Sequence, residues 1–155
     1  MNRTIYVLIT VLAFCFATSR TFSQSSYKTA VGLGIDVGDG STIVGPSIKH
    51  FFNEHSAFEA EVLFGNHYAT VGAYYQYNRS FKEAKELKWY LGIGPDILIN
   101  NRGAAFALRP MAGLDYKIKT LPLSLTFDWR PYFFIDEGVY IATARFGLGV
   151  RYAFK

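Results

Sequence analysis

Residues 123–134 read LSLTFDWRPYFF. In an extended chain Leu123, Leu125, Phe127, Trp129, Pro131 and Phe133 fall on one side, and Ser124, Thr126, Asp128, Arg130 and Tyr132 on the other. The same two-residue period recurs through the chain. It predicts eight strands over 27–37, 42–52, 57–64, 69–78, 87–99, 105–118, 121–134 and 140–154, separated by turn residues such as Gly38-Asp39-Gly40-Ser41, Asn100-Asn101-Arg102-Gly103 and Asp136-Glu137-Gly138. Residues 79–86 (RSFKEAKE) read as a solvated loop, and no segment has the length and 3.6-residue period of a core helix.

What constrains the fold most is where the charge lies. One face of these strands carries Leu33, Ile48, Val71, Leu91, Leu108, Phe127, Leu148 and their neighbours, and it contains no Asp, Glu, Lys or Arg. The other face carries Lys28, Asp36, Lys49, Glu59, Glu61, Lys88, Asp96, Arg109, Asp115, Lys117, Asp128, Arg130, Arg145 and Arg151, together with most of the strand glycines. In a water-soluble barrel the apolar face is the core. In a barrel that crosses a membrane the assignment inverts and the charges are interior.

Space and depth both favour inversion. The interior of an eight-stranded barrel is just wide enough for side chains to fill, and the apolar set, with both tryptophans, is bulky for it. Glycines and paired charges fit better, whereas strand glycines facing water would weaken the sheet. With alternating strands, Tyr27, Phe52, Phe58, Tyr75, Tyr77, Trp89, Tyr116, Tyr152 and Phe154 fall near one rim, and Phe64, Phe106 and Phe133 near the other. Such sorting by height is the pattern of an aromatic girdle at membrane interfaces.

The 155-residue length allows one domain. Half the residues are hydrophobic and 18% are charged, lean for a small soluble domain. Residues 1–23 read as a cleavable signal peptide: Arg3 supplies a basic start, 5–17 an apolar run, and Thr21-Phe22-Ser23 a cleavage site. The run is short for a spanning helix, which needs roughly 20 residues. Removing 1–23 takes away the single cysteine, Cys15, and lowers the formal charge from +4 to +2, so the expected mature domain, 24–155, is thiol-free. The excess of positive charge is then too small to point to nucleic acid.

The last strand, GLGVRYAFK, carries Gly149, Tyr152 and Phe154 in alternation, with Lys155 at the end. On this segment and the face pattern the chain resembles the small eight-stranded outer-membrane barrels of the OmpA-barrel, OmpX and OmpW type. The resemblance implies an all-β, up-and-down transmembrane barrel in the outer membrane of a Gram-negative bacterium, reached by Sec-type export. It also implies outer-membrane lipid and the barrel-assembly machinery as partners, with Gly149, Tyr152 and Phe154 as the assembly signal and Lys155 in place of a terminal aromatic. A monomer is expected.

No enzyme chemistry is evident. His50-Phe-Phe-Asn-Glu54-His55 has the residues of a zinc motif but runs from a strand into a turn, not along a helix. His67 and Ser41 fall at one rim without a clear acidic orienter, which is poor material for a lipid-modifying enzyme. The expectation is a barrel without catalytic residues, cofactor or metal. Its interior is plugged by Asp36, Glu59, Glu61, Asp96, Arg109, Asp115, Asp128, Arg130, Arg145 and Arg151, with Asp128 level with Arg145. It is expected to serve a structural, adhesive or ligand-binding role, with an unidentified lipid-like or extracellular ligand. The alternative is a conduit for small solutes or lipid-like molecules, because Pro46, Pro95, Pro110 and Pro131 fall inside strands where each must mark a bulge or break.

Overall fold

The computed structural model describes residues 27–135 and 140–154; the signal peptide and the 136–138 turn read from the sequence lie outside them. The strands are β1 (Thr29–Gly38), β2 (Ser41–Phe51), β3 (Ser56–Phe64), β4 (Tyr68–Ser80), β5 (Leu87–Asn100), β6 (Gly103–Lys117), β7 (Leu123–Trp129), β8 (Tyr132–Phe134), β9 (Tyr140–Ala142) and β10 (Arg145–Phe154). Neighbours pair antiparallel, and β10 returns to pair with β1 along its whole length, from Thr29 opposite Phe154 to Gly38 opposite Arg145. β7 with β8, and β9 with β10, are the two halves of single barrel strands, so the wall is a closed eight-stranded barrel. Closure removes the unpaired edges that an open sheet presents.

Local chemistry explains the tight turns. Between β1 and β2 the pair Gly38–Ser41 is closed by Asp39 at φ +47° and Gly40 at φ +73°. This double left-handed turn matches strand twist and favours Asp-Gly. At the end carrying the termini, Asn53 Oδ1 accepts hydrogen bonds from the amides of His55 and Ser56 at 2.9 and 2.8 Å. Residues 81–87 form two successive turns, Ala84 N donating to Phe81 O and Leu87 N to Ala84 O, with no helix.

The prolines interrupt the wall by deleting donors. Pro46 stays in register with Leu33 of β1 but lies in a gap of the β2–β3 ladder. Pro95 pairs with Leu108 of β6 and lies in a gap of the β4–β5 ladder. β6 keeps one register with both β7 and β8, Ala112 opposite Trp129 and Leu108 opposite Phe133, which sets Pro110 opposite Pro131. Neither can donate, so the ladder fails there and the segment predicted as one strand over 121–134 is split. The strand predicted over 140–154 is split by a β-bulge: the chain takes one more residue from Phe146 to Ala142 than its partner takes from Trp129 to Tyr132. Thr143 and Ala144 are consequently both exposed, and Trp129 Nε1 donates to the Thr143 carbonyl at 2.7 Å. The β5–β6 ladder between the Pro95 gap and the Pro110–Pro131 gap is unbroken, so these two lie in separate seams.

The two faces separate as the alternation requires. Leu33, Leu91, Phe127 and Trp129 project outward at 45–56% exposure, with most large hydrophobic residues of the strands beside them. Of the residues expected on the aromatic girdle, Phe52, Phe58, Tyr75, Trp89, Tyr116, Tyr152 and Phe154 lie on this outer side. Tyr27 is a correction. The chain bends at Lys28, whose carbonyl accepts from Phe51 N at 2.8 Å, and this reverses the expected sides of both residues. Lys28 is exposed, while Tyr27 enters the barrel mouth at 4% exposure and sets its ring edge-on to Phe51.

Candidate functional site: the barrel interior

The inward positions form a continuous polar network. Nearest the termini, Lys49 Nζ donates to Asp115 Oδ2 at 2.8 Å and to Asn78 Oδ1 at 3.1 Å. Asp115 also accepts from Tyr27 OH at 2.5 Å and Ser124 Oγ at 2.7 Å. The Lys49 ammonium lies 4.4 Å from the Tyr90 ring centroid. Ring-face contacts of this kind favour a desolvated cation.

In the middle, Arg130 lies along its own strand. Its Nη2 donates to Asp128 Oδ2 at 2.6 Å, its Nε to Asp128 Oδ1, and its Nη1 to Glu61 Oε1 at 2.6 Å. Tyr90 OH completes Asp128 at 2.6 Å. Arg151 bridges Glu59 at 2.8 Å, Ser47 and Thr126, and Gln76 Nε2 donates to the other Glu59 oxygen at 3.0 Å. Gly147 makes this layer possible, because a Cβ there would sit 2.1 Å from Arg130 Nε.

Toward the far end, Arg109 joins Asp36 at 2.5 Å and Asp96 at 3.1 Å, and stacks over the Tyr132 ring at 3.7 Å. Its Nη2 also donates to the Arg130 carbonyl at 2.9 Å, which fills the wall from inside beside the Pro110–Pro131 gap. Tyr74 OH donates to Asp96 at 2.5 Å. Arg145 closes this end on Asp36, the Gly38 carbonyl and Ser41 Oγ, at 2.7 Å or 2.9 Å each.

All ten charged residues assigned to the interior from sequence are buried and meet in this network. The expected Asp128–Arg145 pairing is not present. Asp128 stands opposite Gly147, and the absent side chain there lets Arg130 fold back onto Asp128, while Arg145 goes to Asp36 on β1. Alternation alone carried information about three further residues, Tyr74, Tyr90 and Tyr132, which together with Tyr27 supply hydroxyls or rings to the charges. Tyr74 and Tyr90 share their strands' inward parity with Gln76 and Lys88. Buried charges that are paired and hydrogen-bonded avoid the several kcal/mol that an isolated one costs.

The residues weighed for catalysis or metal are not brought together. Ser41 Oγ contacts Tyr68 OH at 2.8 Å and Arg145, while His67 lies beside Asn101 and Arg102 along a separate cleft. His50 Nδ1 meets Thr29 Oγ1, and His55 Nδ1 meets the Asn78 carbonyl. No protein-family model matches the chain, and no curated protein matches it significantly.

Proposed function

We propose that this chain is an integral outer-membrane barrel, exported by its signal peptide and inserted by the barrel-assembly machinery. Its interior is closed by the ion network, and it acts without catalysis as a structural, adhesive or ligand-binding component of the envelope. The observation that carries this reading is the inversion of faces: the ten charges of the network are buried and paired, whereas the outside is nearly continuous Val, Leu, Ile, Phe and Tyr. A monomer in water rarely exposes a contiguous apolar patch beyond a few hundred Å². In lipid that wall is matched to its solvent, and a closed barrel satisfies its backbone internally.

Conductance tests the closed interior. Reconstituted into planar bilayers, the protein is expected to give no stable ion steps, because the Arg109–Asp36 and Arg130–Glu61 pairs cross the lumen between strands that are not neighbours. Regular steps from the unmodified protein would assign it to the conduit reading. A companion check is migration on SDS gels, where unboiled barrel is expected to run faster than boiled chain.

A further inference from the structure

At the end carrying the termini, the turn between β2 and β3 and the loop 81–86 between β4 and β5 enclose a cleft of about 400 Å³, lined by Glu54, His55, Arg79, Lys82, Lys85 and Lys88. That volume falls in the roughly 300–1,000 Å³ range of small-molecule sites. Among the described residues, Glu54 is the single acid in its lining. Glu86, on the same loop, is held by Lys119 at 2.7 Å, and that hydrogen bond pulls its carboxyl below the usual range. The loop is fastened at both ends, Phe81 N donating to Leu87 O at 3.1 Å and Lys117 N to Glu86 O at 2.9 Å.

Lys88 is the second, independent observation. It is 7% exposed and lines the cleft, yet among the described residues it has no ion pair or hydrogen bond; its ammonium rests 4.4 Å from the Phe51 ring. Its direct cross-strand partner is Asp115, but that carboxylate is already taken by Lys49, Tyr27 and Ser124. Asp115 and Glu54 act on this ammonium only at a distance; burying it without a hydrogen-bonded anion is costly, and the cleft it faces is open to one.

We propose that this cleft binds the phosphate of an anionic phospholipid headgroup in the leaflet beside that rim. The lipid source rests on the reading of the outer wall as membrane-facing. It is favoured by position: Arg79 is the cross-strand partner of Trp89, whose ring lies 6.1 Å from Tyr77, and Tyr77 lies 5.7 Å from His55. These rings continue the cleft onto the apolar wall, where glycerol and acyl chains would lie. Four bases against one acid select a net-negative headgroup over a zwitterionic one.

The test uses the protein purified in a neutral detergent, its fold checked by gel migration before and after boiling. Short-chain phosphatidylglycerol and phosphatidylcholine are titrated into the micelles, and retained lipid is read by native mass spectrometry. Phosphatidylglycerol is expected to be retained at least about tenfold more tightly. The exposed pair Lys82→Gln/Lys85→Gln is expected to weaken it roughly 25-fold, at about fivefold per base. Lys88→Gln is expected to weaken it too, and Arg102→Gln at the opposite rim to leave it unchanged. Equal retention of both lipids, or indifference to the Lys82/Lys85 pair, would overturn the proposal. Inorganic phosphate binding as tightly as phosphatidylglycerol would reassign the cleft to free phosphate and also overturn it. A chain that stays dispersed without detergent would refute the membrane reading itself, whereas one that needs detergent but ignores phosphatidylglycerol would refute only the cleft.

Discussion

Asp128 shows how a single interior residue is held. It accepts from Arg130 and Tyr90, and Arg130 in turn holds Glu61. Asp128→Ala leaves the Tyr90 hydroxyl without its acceptor and takes from Arg130 its two-point partner, leaving Glu61 and, at 3.6 Å, Glu59, so a loss of about 3–5 kcal/mol is expected in urea unfolding of the reconstituted barrel. Adding Arg130→Ala should recover part of that loss, since the under-compensated cation is removed, though Glu61 then loses its partner. Adding Arg145→Ala should recover less, because Arg145 is bound to Asp36. Gly147→Ala offers a second check. Its Cβ would displace the guanidinium stacked across it, and a loss of about 1–3 kcal/mol is expected, typical of overpacking. Wild-type stability in that variant would mean that Arg130 does not lie across Gly147.

At the scale of elements, the proline gap and the bulge leave β8 and β9 as three-residue pieces, with β8 held to β6 by two residue pairs. Short ladders open more easily than long ones. Amides of β8 and β9 are therefore expected to exchange at least about tenfold faster than those of β10, and equal protection along both barrel strands would contradict the split. The strands themselves were legible because alternation and turn residues coincide, and so was the side on which each charge lies, Lys28 excepted. The breaks were only partly legible: proline announces a missing donor, but its effect depends on register. Nothing in 121–134 alone reveals that Pro131 meets Pro110, and Thr143-Ala144 carries no bulge residue such as glycine. The Asp128–Arg145 expectation failed for the same reason, since a shift of two residues across a hairpin changes every partner while leaving the inward side unchanged. Tyr27 was misread because alternation cannot register the bend at Lys28 that precedes the first strand.

For the whole molecule, an inverted barrel requires that the outer wall meet lipid. Ala73→Arg, near the centre of β4 and opposite Ala60 of β3, should then cost about 2–4 kcal/mol, and Phe52→Arg at the rim much less. Equal costs would argue against a depth-dependent surroundings. The most direct measurement uses the two tryptophans, Trp89 and Trp129, both of which lie on the outer side. In vesicles whose acyl chains carry bromine, their fluorescence is expected to be strongly quenched, while aqueous acrylamide quenches them weakly. Strong quenching by acrylamide and none by the brominated chains would place the apolar wall in water, and the inverted barrel would be wrong.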